Sequence, residues 1–305
     1  MIDQETLRGV VEKVLADLGK KGVVATPAAP AAAAPAAEKP TCACSNGAGG
    51  LGSNGVFSDV GEAAEAAHHA FQMLKALGVD GRSRVIDIVK GICAANTRSW
   101  GEFELAETKI GRLDHKIAKL EIMDKVPGIE WLRPYAMSGD GGITLEEYAP
   151  YGVVGAILPV THSIPTLTGN VISMVAAGNA VVFNPHPGGA RSATMAVREF
   201  NKAIERDLGI DNLICTIEEP SLESFDLICK NEQIPIMAIT GGPAVVAAAM
   251  KSGKRSICAG PGNPVVVIDA TADLARAARC IIEGASFDNN LLCIGEKVVF
   301  VVQSM

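Results

Sequence analysis

Apolar and polar positions change rhythm several times along the chain, and each change marks an element. Residues 2–19 repeat at helical spacing: Leu7, Val10, Val11, Val14 and Leu18 share one face, while Glu5, Arg8, Glu12, Lys13 and Asp17 take the other. An Ala/Pro tract then runs to Pro40, and a Gly/Ser/Asn-rich stretch to residue 55. Neither holds enough apolar side chains to build a core, so both are predicted as linker. The globular part is expected to begin near Val56. From Val60 the pattern predicts helices over 60–77, 82–99 and 101–121, the third rich in charge. Residues 143–149 alternate as a strand. The Val-Val-Gly-Ala-Ile-Leu run at 153–158 is continuously apolar, as a strand covered on both faces must be. Helices at 165–177, 188–208, 221–230, 243–252 and 272–286 then alternate with strands at 180–183, 213–217, 236–239, 265–268 and 297–302.

Alternating strands and helices require parallel strands joined by helical crossovers. The expected fold class is therefore α/β, an open, doubly wound parallel sheet with its ligand at the C-terminal ends of the strands. A tethered amphipathic helix ahead of such a domain reads as a docking element, or alternatively as a helix packed on its own domain.

Composition narrows the function. The 305 residues are 48% hydrophobic but only 4% aromatic, a balance that suits buried parallel strands with tight turns. A formal charge of -7 argues against the basic face that nucleic acid would need. The apolar stretch from Gly152 to Phe183 is interrupted by Pro159, His162, Pro165 and Asn170 and is not a membrane span. Eight cysteines occur, at 42, 44, 93, 215, 229, 258, 280 and 293, with no CxxC pair. That is neither a zinc pattern nor a disulfide framework, and it predicts free thiols in a reducing cytoplasm with no bound metal. The N-terminus is acidic and amphipathic, so no secretory signal is expected.

Five segments are candidates for chemistry. Gly47-Ala-Gly49-Gly-Leu-Gly52 matches a dinucleotide-binding string, but it follows a linker instead of a strand and is rejected. Asn184-Pro185-His186-Pro187-Gly188-Gly189 and Thr240-Gly241-Gly242-Pro243 each join a strand to a helix, where free N–H groups can meet a pyrophosphate. Ordinary turn chemistry would explain either alone. Pro159-Val-Thr161-His162-Ser163-Ile-Pro165 ends a buried strand in a polar cluster. Finally, Phe287-Asp288-Asn289-Asn290-Leu-Leu-Cys293 places a cysteine between a helix and a strand, behind three polar residues. Taken singly, such a cysteine is ordinarily structural.

Together, in this order, these segments resemble the aldehyde dehydrogenase superfamily, specifically its CoA-acylating branch from bacterial microcompartments. The resemblance runs from about Val56 to Met305. It is carried by Gly284-Ala-Ser-Phe-Asp-Asn-Asn-Leu-Leu-Cys293 with Glu296-Lys297, by Ala176-Ala-Gly-Asn-Ala with Asn184-Pro-His-Pro, by Ala238-Ile-Thr-Gly-Gly-Pro, and by Ala259-Gly-Pro-Gly-Asn-Pro264. It implies a Rossmann-like NAD-binding domain over 56–262, with oligomerisation strands at about 134–151, and the start of a catalytic domain over 263–305. Residues 1–20 and the linker at 21–55 resemble encapsulation peptides that load such enzymes into microcompartments, which implies a cytoplasmic location inside one.

The same resemblance implies the roles of residues. Cys293 matches the catalytic nucleophile. Thr161 and His162 lie where relatives place an oxyanion-binding Asn, which this chain lacks. Asn184, Pro185 and His186 match the adenosine and ribose border. Thr240, Gly241 and Gly242 match the turn near the cofactor phosphates, and Gly260 is grouped with them. The implied cofactor is NAD, the implied substrates are a short aldehyde and coenzyme A, and the implied assembly is a homo-oligomer. The family continues beyond the position of Met305 with more of its catalytic domain.

Hydrolytic relatives activate water with a Glu in a Glu-Leu-Gly-Gly type segment. The matching segment here, Cys258-Ala259-Gly260-Pro261-Gly262, has no acid. A free thiol, with a pKa of about 8.5, is already partly ionised near neutrality and needs less help than water. CoA is therefore the expected acyl acceptor. A hydrolytic dehydrogenase giving the free acid and a non-catalytic cargo protein are the alternatives.

Overall fold

The computed structural model describes Lys13 and residues 54–302. The expected N-terminal helix, apart from Lys13, the Ala/Pro linker and the rejected glycine string lie outside the described residues. By internal contact the described chain forms two units, residues 54–263 with 287–295, and residues 264–286 with 296–302.

The larger unit is built on one six-stranded sheet: β1 (Val56–Phe57), β4 (Val153–Leu158), β5 (Ala180–Pro185), β6 (Ile214–Ile217), β7 (Ile236–Thr240) and β8 (Arg255–Ala259). Its order is β1-β6-β5-β4-β7-β8, and every pairing is parallel. All residues of β4, β5 and β6 are buried, which is why their sequences, apart from Asn184 and Thr216, are apolar instead of alternating. The crossover helices are α4 (Ser163–Ala176), α5 (Ala190–Leu208), α6 (Leu222–Lys230) and α7 (Pro243–Lys251).

Strands step outward from β4 through β5 to β6. The chain then returns to the far side of β4 for β7 and β8. With right-handed crossovers, this reversal sends α6 and α7 to the face opposite α4 and α5. It also makes β4 and β7 a topological switch point, where the connections leave in opposite directions and a crevice opens beyond the strand C-termini.

The helical layer before the sheet differs from the periodicity reading. Helix α1 (Val60–Ala95) takes in the first expected helix and most of the second, with the expected break between them appearing as a kink at Gly78, whose φ of 65° glycine adopts without strain; it ends at Ala95 and not at residue 99. The expected helix over 101–121 is two, α2 (Thr97–Thr108) and α3 (Leu113–Glu121), because Lys109 turns left-handed and closes α2. A hairpin follows, β2 (Tyr135–Gly139) and β3 (Gly142–Glu146), closed by Asp140-Gly141 and exposed at every residue. Periodicity marked only its second strand. Periodicity does not predict strand β8 either. Its Arg-Ser-Ile-Cys-Ala sequence has one β-branched residue, and it is specified by lying along β7 at the sheet edge.

The smaller unit holds β9 (Val265–Ile268) and β10 (Val298–Val301), paired in parallel, with α8 (Leu274–Ser286) between them in sequence.

Candidate active site

Because the sheet is parallel, the loops that matter leave from one edge, in the order of their strands. The end of β5 carries Asn184 and Pro185, with His186 following. After β4 come Thr161 and His162, after β7 Thr240–Gly242, and after β8 Gly260 and Gly262. The four segments singled out by sequence between residues 159 and 262 are thus neighbours along one carboxyl edge.

Beyond β4 the chain makes a tight turn at Val160–His162 before α4 begins. His162 is partly buried, and its Nδ1 is fully buried with no hydrogen-bond partner. Burial, with Lys119 and Lys116 nearby, pushes its pKa down to about 3. The imidazole is therefore neutral at physiological pH and carries one N–H.

The Cys293 loop arrives from the other end of the chain. Asp288, Asn289 and Asn290 all have positive φ, at 49°, 58° and 58°. Asp and Asn tolerate this region better than other side-chain-bearing residues, but three in a row still need holding. The hold is at Asp288, which is fully buried. Its Oδ1 accepts from the Arg112 N–H at 2.9 Å, its Oδ2 from Lys119 Nζ at 2.6 Å, and its own N–H donates to His115 Nδ1 at 2.7 Å. Phe287 stacks on the His115 ring at 4.2 Å. Gly111, at φ 84°, is bare of a side chain because a β-carbon there would overlap the Asp288 carboxylate.

The loop then turns through Leu291 and Leu292 and leaves Cys293 exposed. The Cys293 N–H makes no hydrogen bond among the described residues. The Cys293 carbonyl lies against Gly262, where no β-carbon would fit. The other cysteines differ. Cys93 is buried and its thiol is pushed up to about 11 by that burial, and Cys215 and Cys229 are also raised by burial. Cys258 is half-buried, and exposed Cys280 sits on α8. Of the described thiols, Cys293 alone is both exposed and on a loop at this edge.

Beneath the two loops lies a cluster of buried charge. Lys116 Nζ meets Glu104 Oε1 at 2.9 Å, with both side chains 1% exposed. Glu104 Oε2 accepts from the Ile164 N–H at 3.3 Å, in the first turn of α4, where negative charge is favoured. Lys119 Nζ adds to its Asp288 contact a hydrogen bond to the Thr161 carbonyl at 3.2 Å. Burial holds Lys119 below the usual ammonium range; its bond to Asp288 opposes that shift and Lys116 adds to it. Periodicity places Glu104, Lys116 and Lys119 only in a charge-rich helix. Nothing in the spacing separates buried charges from solvated ones.

The two strand–turn–helix junctions are not equivalent. At the start of α5, Glu107 accepts from the Arg191 and Ser192 N–H groups at 2.8 and 2.7 Å, and from the Ser192 hydroxyl. A carboxylate already occupies these amides and would repel a phosphate. Just before them, the side chain of Asn184 is buried between the Ser221 carbonyl and the Ser224 hydroxyl. Pro185 closes β5, and exposed His186 accepts from the Gly188 N–H through Nδ1. This segment therefore offers the edge its backbone and the His186 ring, but not the Asn184 amide. At the start of α7, by contrast, Gly242 is exposed, Pro243 lacks an N–H, and no side chain caps the helix. Thr240, Gly241 and Gly260 are partly buried beside it. The Gly241 N–H is already given to the Ala259 carbonyl at 3.1 Å, so the groups this switch-point junction leaves for an anion are the Gly242 amide and the first turn of α7.

Among the described residues no group of three His, Cys, Asp or Glu side chains is arranged to hold a metal, and no helix is long and apolar enough to cross a membrane.

Comparison with known proteins shows the family and the fold. The propanal dehydrogenase (CoA-propanoylating) of Citrobacter freundii is 42% identical over 253 residues, covering 83% of this chain and 55% of that protein. A propionaldehyde dehydrogenase of Rhodopseudomonas palustris, solved with bound CoA and an acylated cysteine, is 39% identical with a TM-score of 0.78, covering 83% of this chain and 58% of that one. A propionaldehyde dehydrogenase from the Clostridium phytofermentans fucose utilisation bacterial microcompartment is 41% identical with a TM-score of 0.78, covering 82% and 58%. The chain thus spans little more than half the length of these relatives. Residues 52–305 match the pattern of the aldehyde dehydrogenase family. With a parallel sheet of that type, and a thiol at its carboxyl edge, this chain belongs to the aldehyde dehydrogenase family.

Proposed function

We propose that this chain carries the nucleophile, the oxyanion-binding loop and the cofactor-binding edge of a CoA-acylating aldehyde dehydrogenase. The observation that carries the reading is the exposed thiol of Cys293, on a loop pinned through Asp288 beside the end of the switch-point strand β4. As thiolate, Cys293 attacks the carbonyl carbon of a short aldehyde. A carbon–sulfur bond forms and the carbonyl electron pair moves to oxygen. The Cys293 N–H and the neutral His162 imidazole, the latter through Nε2 because its Nδ1 is fully buried, are the donors proposed for that oxyanion, with Thr161 holding the turn.

NAD, when bound, supplies the two-electron acceptor that takes the thiohemiacetal to a thioester on Cys293. Thr240, Gly241, Gly242 and the first turn of α7 would hold its phosphates, with Gly260 beside them and Asn184, Pro185 and His186 bordering the adenosine side. The CoA thiolate then attacks the acyl carbon, and the Cys293 sulfur leaves with its electron pair. Residues 258–262 offer no carboxylate to activate water, which favours thiolysis over hydrolysis.

Residues 1–20 are proposed to dock the enzyme into a microcompartment, the setting from which the Clostridium phytofermentans relative comes. The exposed β2–β3 hairpin, with Tyr135, Met137, Ile143 and Leu145 outward, is proposed as an interface between copies.

The test is to incubate the chain with propanal or acetaldehyde, NAD and CoA and to follow NADH and acyl-CoA together. Both products are expected, with acyl-CoA absent when any one reactant is omitted and NADH held to about one equivalent per Cys293 when CoA is the one left out. NAD binding without turnover would favour a non-catalytic cargo role, and free acid at full rate without CoA would favour the hydrolytic reading.

A further inference from the structure

The chemistry proposed above needs two loops to keep register, one carrying Cys293 and the other carrying His162. One side chain touches both. Lys119 on α3 donates from Nζ to Asp288 Oδ2 at 2.6 Å and to the Thr161 carbonyl at 3.2 Å. Lys119 is 4% exposed and Asp288 0%, so water does not compete for either bond. An ion pair serving stability alone would be complete with Asp288; the second bond reaches the turn before His162. Asp288 is in turn the first of three left-handed residues that lead to the nucleophile. A second strut runs parallel to the first, from Lys116 through Glu104 to the Ile164 N–H, and grips the same turn from its other side. The His162 turn is thus held at Thr161 and Ile164, and the Cys293 loop at Asp288, all from α2 and α3.

We propose that Lys119 is a positioning residue, a strut that fixes the Cys293 loop against the His162 turn, so that a nucleophile and an oxyanion donor drawn from distant parts of the chain meet one carbonyl. The role assigned to each loop rests on the function proposed above; the mechanical link does not. Geometry of this kind matters because a small misplacement of reacting groups is costly to rate.

The experiment compares the 305-residue chain with Lys119→Met, Asp288→Asn and the double variant, using amide hydrogen exchange read by mass spectrometry. In Lys119→Met, exchange should rise at least about tenfold in residues 159–164 and 287–295 together, with β4, β5 and β6 at parent rates. The double variant leaves no unpaired buried charge, so it keeps the test decisive if Lys119→Met does not fold; the same two segments should loosen. A rise spread evenly over the sheet, a rise in one segment only, or no change would overturn the proposal. Kinetics add a second readout. In a folded variant kcat should fall by at least about tenfold while KM for NAD stays within about twofold. Failure of the parent chain to form NADH or acyl-CoA would count against the proposed function, while exchange would still decide the strut.

Discussion

Gly262 stands against the carbonyl oxygen of Cys293 so closely that a β-carbon would overlap it, so the turn after β8 and the Cys293 loop meet backbone to backbone. The contact sets how far Cys293 projects from the carboxyl edge. Gly262→Ala is expected to displace the loop and lower acyl transfer by about a hundredfold, the scale of a misplacement near 1 Å. Steady-state NADH formation checks this, and a variant with parental kcat would show that the contact is not limiting.

Removal of the sulfur should be complete in its effect. Cys293→Ala is expected to abolish acyl transfer. In the parent, intact-mass spectrometry after aldehyde and NAD without CoA should find an acyl adduct, and in the variant none. Substantial turnover by Cys293→Ala would mean that the nucleophile lies elsewhere. Cys93 and Cys215 are poor substitutes, since burial keeps both as thiols.

The acyl acceptor is distinguishable by product. With CoA the chain should release acyl-CoA. Without it, NADH should stop after about one equivalent per Cys293, because the thioester has no efficient route to water. Continued NADH formation without CoA, with free acid accumulating, is the outcome that sinks thiolysis.

His162 links stability to pH with a definite sign. Its folded pKa of about 3 lies below the ordinary 6.5, so between these values the unfolded chain binds the extra proton. Stability from this group is therefore complete above about pH 6.5 and declines as pH falls toward 3. Between pH 6.5 and 4.5 the parent should lose about 2 kcal/mol more than His162→Asn, measured by urea unfolding at each pH. Equal losses in the two proteins would refute it. His162→Ala should separately lower kcat by about 10²–10³, the usual loss of one oxyanion donor.

The Lys116–Glu104 pair is a stability feature as well as a strut. Lys116→Met strands the Glu104 carboxylate in a dry site and is expected to cost about 3–5 kcal/mol. Adding Glu104→Gln should recover much of that, since the uncompensated charge is then gone. Thermal melting of the single and double variants checks the order; a double variant no more stable than the single would contradict it.

Much of the architecture could be read from residue periodicity, because burial on both faces leaves a mark on every position. Val153–Leu158 and Ala180–Phe183 are apolar throughout since helices cover both their faces, and Thr240-Gly241-Gly242 shows where a strand must turn into a helix. Family resemblance added a role for Cys293, whose own neighbours in the chain point to no chemistry. The strand order, and with it the switch point between β4 and β7, was not legible, because a parallel strand carries no record of which strand lies beside it. Nor was the division of labour between the junctions at α5 and α7, which turns on Glu107, a residue far from α5 in sequence. The buried ions Glu104, Lys116, Lys119 and Asp288 likewise look like surface charge until the fold closes over them. Local pattern reports how much of a residue is covered, but only the folded chain decides by what, and a charge or a thiol acquires its function from that partner.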